Sequence, residues 1–116
     1  MRRPSKYKSR VAEVAGLRFD SQAEARRYSE LAILEAAGAI SGLAVHPRYE
    51  LQAAFTDNAG QRWAAILYEA DFAYTEDGAP VVEDVKGCAT AAWRLKRKLF
   101  LYRYPALTLR VIQAKR

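Results

Sequence analysis

Residues 71–86 read Asp71-Phe72-Ala73-Tyr74-Thr75-Glu76-Asp77-Gly78-Ala79-Pro80-Val81-Val82-Glu83-Asp84-Val85-Lys86. Asp-Gly favours a two-residue hairpin loop, so this stretch predicts two strands folded back on each other about Asp77-Gly78. Counting outward from the turn sets Asp71 opposite Asp84 and Glu69 opposite Lys86. Pro80 has no N–H to give a ladder, so the loop can also widen to 76–79 or 75–80; all three loops keep the same register. An odd-length loop or a bulge would send Asp71 and Asp84 to opposite faces. Side chains alternate along a strand, which places Asp84 and Lys86 on one face with Val82, and Glu83 on the other with Val81 and Val85.

Two carboxylates directly opposite each other destabilise a sheet, and a cation between them removes the conflict. The competing reading is an ordinary Asp84–Lys86 ion pair on a solvated edge. Against it, apolar residues flank the strand and a helix follows it, and buried charges need partners. Magnesium, with manganese as a substitute, takes oxygen ligands and typically uses one or two protein carboxylates plus substrate phosphate. Asp71 and Asp84 are the expected ligands, together with the Val85 backbone carbonyl. Lys86 would orient a metal-acidified water or stabilise charge developing on the phosphoryl group. Such a site suits metal-assisted phosphodiester cleavage and needs no organic cofactor.

Upstream, Trp63 to Tyr74 is an aromatic and aliphatic run of twelve residues, long enough for a strand that bends or bulges. Tyr49 to Phe55 predicts the strand before it, closed by the turn Asp57-Asn58-Ala59-Gly60. Gly42 and His46-Pro47 fall in the preceding loop, where His46, the only histidine, has no evident relay partner. Val11 to Phe19, around Ala15-Gly16, reads as a small hairpin or an extended arm. Ser21 is the N-cap of a helix running through Ala37 and stopped by Gly38, and Ser21-Gln22-Ala23-Glu24 forms a capping box. Glu24 also lies at helical spacing before Tyr28 and Leu31, towards the side to be buried.

Downstream, Gly87 ends the third strand, Ala89 to Tyr104 predicts a second helix stopped by Pro105, and Leu107 to Gln113 a last strand. In that helix Ala92, Leu95, Leu99 and Tyr102 recur at core spacing. Arg94 and Lys98 occupy another face, and Lys96 sits at the boundary, looking back over the strand that bears Lys86. Trp93 reads as core and Cys88 as an inert thiol. The order helix, three strands, helix, strand predicts an α/β fold: one domain with a central mixed β-sheet flanked by helices.

The chain has 116 residues, enough for one domain, and 51% of them are apolar or aromatic, enough for a core. No apolar stretch approaches the roughly 20 residues a spanning helix needs, and no apolar block follows the N-terminal arginines, so no membrane span or signal peptide is expected. One cysteine fits a reducing, cytoplasmic location and excludes an internal disulfide. One cysteine and one histidine cannot complete a tetrahedral zinc site. The net charge of +6 is unevenly distributed. Residues 1–10, a basic arm preceding a domain at 11–116, include Lys6, Lys8 and Arg10 and no acid; residues 89–104 are likewise basic without an acid; residues 19–88 hold five bases and twelve acids. Basic flanks around an acidic centre suit a polyanion presented to divalent cations, although a basic arm is also commonly a solvated tail.

Ala70-Asp71, then Glu83-Asp84-Val85-Lys86-Gly87, preceded by a helix bearing Glu24 and followed by a basic helix, resembles the PD-(D/E)xK nuclease superfamily. Residues 16–21 running into Glu24-Ala25, with 68–72 and 84–87, are further similar to small phage and prophage proteins of that superfamily. The resemblance spans roughly residues 10 to 112, and Ala70 stands where the superfamily often has proline. It implies a restriction-endonuclease-like core, a further acidic ligand in Glu24, whose capping role remains an equal alternative, and phosphate contacts from Lys96, Lys98 and Arg94. The expected function is a magnesium-dependent DNA endonuclease acting on branched or otherwise structured DNA, of phage or prophage origin. The alternatives are a noncatalytic DNA-binding protein on the nuclease fold, and an assembly protein that binds a nucleic-acid-containing partner. Cutting two strands of a junction would call for a two-fold homodimer, though no residue in the sequence marks its surface.

Overall fold

Both residues of the Asp77-Gly78 turn have positive φ, 51° and 77°, the two-residue loop whose twist matches that of antiparallel strands. In the computed structural model, which describes residues 12–114, this turn joins β8 (Phe72–Glu76) to β9 (Ala79–Lys86), paired from Glu76↔Ala79 to Phe72↔Glu83. The narrowest of the three loops is therefore the one formed. Pro80 is accommodated inside β9 because pairing on its other side begins only at Val81.

A short hairpin, β1 (Ala12–Val14) and β2 (Leu17–Phe19), precedes helix α1 (Gln22–Ala36). After α1 come β3 (Ser41–Val45), β4 (Arg48–Gln52), β5 (Phe55–Thr56), β6 (Arg62–Trp63) and β7 (Ile66–Glu69), then β8, β9, helix α2 (Ala91–Arg103) and β10 (Thr108–Gln113). Among the described residues the fold is a single small α/β domain with two helices. Its main sheet runs β10-β9-β8-β3 and is mixed, with β10 parallel to β9 and the other pairs antiparallel.

Three expected elements differ, one of them the strand expected over Tyr49 to Phe55, which is divided between β4 and β5. The segment read as a loop before Tyr49 contains β3, an edge strand disguised by a register shift between Ser41 and Ala44. The run Trp63 to Tyr74 is divided among β6, β7 and β8. The break between β7 and β8 sets up the site. β3 pairs with β8 (Val45↔Phe72) and β4 with β7 (Arg48↔Glu69); between them the His46 N–H donates to the Asp71 carbonyl at 2.9 Å, and the Ala70 N–H to the Pro47 carbonyl at 3.0 Å. The two strand pairs are thus one antiparallel ribbon in unbroken register across a kink, with His46 opposite Asp71. His46 takes φ 55° there, unusual for a residue with a Cβ. Glu69 faces Arg48 and not Lys86, because β7 has turned away from β9 at the kink.

Alternation along β8 and β9 divides the core. Phe72, Tyr74 and Val81 pack with Phe19, Ala25, Leu31 and Ile40 under α1, whereas Val82 packs with Leu51, Tyr68, Ala70, Trp93 and Phe100 under α2. Each fully buried Phe contributes roughly 1.5–3 kcal/mol. The buried face of α2 is Trp93 and Phe100. The expected core positions Leu95 and Tyr102 are 59% and 83% exposed, and Ala92 is exposed as well. The helix is turned so that Trp93 and Phe100, and not Leu95 and Tyr102, meet the sheet.

Candidate metal centre

Glu24 lies in the first turn of α1. The Ser21 hydroxyl caps the helix by accepting the Glu24 N–H at 3.1 Å, and the Glu24 carboxylate reaches the His46 imidazole, Oε1 to Nε2 2.6 Å. Cap and site roles therefore fall to different groups: the backbone N–H is capped, and the side chain serves the kink. One ligand-type atom from each of Glu24, His46 and Asp71 lies within 4.8 Å of the other two.

Asp71 is positioned from two sides. Its N–H donates to the Glu83 carbonyl at 3.0 Å, one residue out of step with the β8–β9 ladder, and its Oδ2 accepts the Val85 N–H at 2.6 Å. Val85 thus contributes its amide to Asp71, where a carbonyl ligand was expected. Burial pushes the Asp71 carboxyl up to about 8; the Val85 N–H opposes this, while the neighbouring Glu24 and Asp84 charges reinforce it. Asp84 is close enough to share a hydrogen bond with Asp71 when one of the two holds a proton. Burial also raises the Glu24 carboxyl, against the hydrogen bond from His46.

Asp84 is 1% exposed. Its Oδ2 accepts the Tyr68 hydroxyl and the Trp93 indole N–H, the latter at 2.8 Å, and its Oδ1 lies 3.7 Å from Lys86 Nζ. Burial and the Asp84 carboxylate both hold the Tyr68 phenol above its ordinary range. Lys86 Nζ also lies 5.2 Å from the centre of the Trp93 ring. On the opposite face of β9, Glu83 is fully buried and gripped by Arg27 through Nε at 2.8 Å and Nη2 at 2.7 Å, with the Tyr74 hydroxyl as a third donor. Alternation along β9 thus sends the Glu83 carboxylate into the α1 layer and the Asp84 carboxylate to the opposite face, against Tyr68 and Trp93.

Over residues 4–116 the chain matches the family described as Protein of unknown function (DUF1064). It belongs to the DUF1064 family. No curated protein and no solved structure matches it.

In this DUF1064 chain the expected residues Glu24, Asp71, Asp84 and Lys86 stand around the kink and the adjacent end of β9. His46, read from sequence as a loop residue without a partner, is hydrogen-bonded to Glu24 and sits opposite Asp71. Arg94 and Lys98 are exposed on α2 and Lys96 is half-buried. It is Arg97, not Lys96, whose guanidinium lies over the Trp93 ring, 4.8 Å from its centre. Lys6, Lys8 and Arg10 lie outside the described residues. Oxygen donors from Glu24 and Asp71 with a nitrogen from His46 form a set that fits a divalent cation. No helix among the described residues is long and apolar enough to cross a membrane.

Proposed function

We propose that this protein is a cytoplasmic, divalent-metal-dependent endonuclease of the PD-(D/E)xK kind, of phage or prophage origin, that hydrolyses DNA phosphodiester bonds with Mg2+ or Mn2+. The observation that carries the proposal is the convergence of Asp71, buried Asp84 and Lys86 with Glu24 from α1. Glu24, His46 and Asp71 would hold the ion, with Asp84 beside them. A bound ion supplies Lewis-acid polarisation of the phosphoryl group and a more acidic water. Lys86, fixed against Asp84 and the Trp93 ring, holds that water in line or neutralises charge developing on the phosphoryl oxygens. Water oxygen bonds to phosphorus, the bond to the leaving oxygen breaks, and the leaving oxygen takes a proton. Between Val85 and Ala114 the sequence has seven basic residues and no acid, which draws a polyanion towards this end of the sheet.

Incubation with supercoiled, linear and four-way-junction DNA, in Mg2+ or Mn2+ and then in chelator, tests the proposal. Metal-dependent cutting that disappears in Lys86→Ala, with DNA binding retained, is the expected result. Binding without cutting under every condition would leave a DNA-binding protein on a nuclease scaffold, and neither binding nor cutting would favour an assembly role. Cutting both strands of a junction would require two copies related by a two-fold axis.

A further inference from the structure

Trp93 orders three charged groups at once. Its indole N–H is held by Asp84 Oδ2 at 2.8 Å, Lys86 Nζ lies 5.2 Å from the ring centre, and Arg97 Cζ lies 4.8 Å from the same centre. Arg97 stands about one helical turn beyond Trp93 on α2 and is half-buried. Other arginines near the sheet are neutralised: Arg27 by Glu83 and Arg110 by Glu76. Among the described residues no carboxylate pairs with Arg97, and no acid follows Asp84 anywhere in the sequence. A guanidinium resting on an aromatic ring keeps its N–H donors available for a bidentate anion. The ring contact also limits its rotamers, so less freedom is lost when the anion binds.

We propose that Arg97 binds the backbone phosphate next to the scissile one in the substrate strand, so that Lys86 and Arg97, both referenced to Trp93, hold consecutive phosphates. This rests on the nuclease reading and names the residue that positions its substrate. The complement is electrostatic: α2 carries Arg94, Lys96, Arg97, Lys98 and Arg103 and no acid. Of these, Arg97 is the one fixed to the ring that also fixes Asp84 and Lys86.

The test is fluorescence anisotropy with labelled single-stranded and duplex DNA in chelator, across a range of salt concentrations, followed by steady-state cleavage with metal. Arg97→Met keeps the aliphatic stem on the indole and removes the charge. It should flatten the plot of log affinity against log salt by roughly 0.9 for duplex or 0.7 for single strands, the loss of one phosphate contact. It should also raise KM about tenfold, with kcat changed by less than about threefold, as for an interaction shared by ground and transition states. Arg97→Lys should restore the slope and only part of the affinity. An unchanged slope and KM in Arg97→Met, in a wild type that binds and cuts, overturns the Arg97 assignment alone and leaves Arg97 as packing on Trp93. A wild type that binds no DNA overturns the nuclease reading and this inference together.

Discussion

The Glu24 carboxylate and the His46 imidazole meet at 2.6 Å although 22 positions separate them in the chain, one at the start of α1 and the other at the kink of the β3–β4 ribbon. The meeting adds a nitrogen donor to an otherwise all-oxygen set. Magnesium holds oxygen ligands and its waters tightly, whereas first-row transition ions accept imidazole readily. At equal concentration Mn2+ should therefore raise the melting temperature more than Mg2+ does. His46→Ala should weaken Mn2+ binding on the order of tenfold or more and Mg2+ binding less. Equal responses to both ions in both proteins would remove His46 from the ligand set.

Asp71 should make the metal-free protein sensitive to alkali. An unfolded Asp titrates near about 3.9, whereas burial lifts the native group to about 8. The native state then binds the proton more tightly, so this stabilisation is complete below the unfolded value and is lost as pH rises through the folded one. In chelator at about pH 8, Asp71→Asn should be more stable than wild type, seen as a higher melting temperature. With saturating Mn2+ the order should reverse, since the amide is the poorer ligand. Differential scanning fluorimetry across pH, with and without metal, reads both signs.

Lys86 and Asp84 should separate chemistry from folding. Lys86→Ala is expected to lower cleavage by about a hundredfold or more and to change stability by less than about 1 kcal/mol, because the pair is partly solvated on the lysine side. Asp84→Ala orphans the Tyr68 hydroxyl and the Trp93 N–H inside the core and should cost about 2–4 kcal/mol. Asp84→Asn keeps an acceptor oxygen and should be milder in a urea melt, yet as defective in cutting.

Glu83→Gln breaks the charge pair with Arg27 on the far face of β9. A loss of about 3 kcal/mol in chemical denaturation is expected. The Mn2+-induced rise in melting temperature should survive in the fraction that folds, because the Glu83 carboxylate is not among the groups that converge on the ion.

The hairpin about Asp77-Gly78 was readable because its turn chemistry fixes register and strand parity then assigns each side chain to a face; that is why Asp84 and Glu83 could be set on opposite faces of β9. Ser21 likewise announced the start of α1. His46 was not readable: its partner lies far away in sequence, and its positive φ carries no local signature. A signal existed only in the long run ending at Tyr74. If its bend had been placed at Ala70-Asp71, continuing the ribbon across it would have set His46 opposite Asp71. The face of α2 was misread because Ala92, Leu95, Leu99 and Tyr102 form a plausible apolar stripe. Trp93 and Phe100, seven residues apart, share a second apolar face, and what favours it is the acceptor that Asp84 offers the indole, which lies outside the helix's own sequence.

Glu83 and Asp84 are adjacent in the chain and serve opposite layers, so sliding β9 by a single residue would seat Glu83 in the place of Asp84 and leave Val82 facing Arg27. Arg27, closing two-pronged on Glu83 from α1, admits one of those two alignments and refuses the other. It is in effect a keyed fastener, set about one helical turn from Glu24 on α1, that pins the alignment of β9.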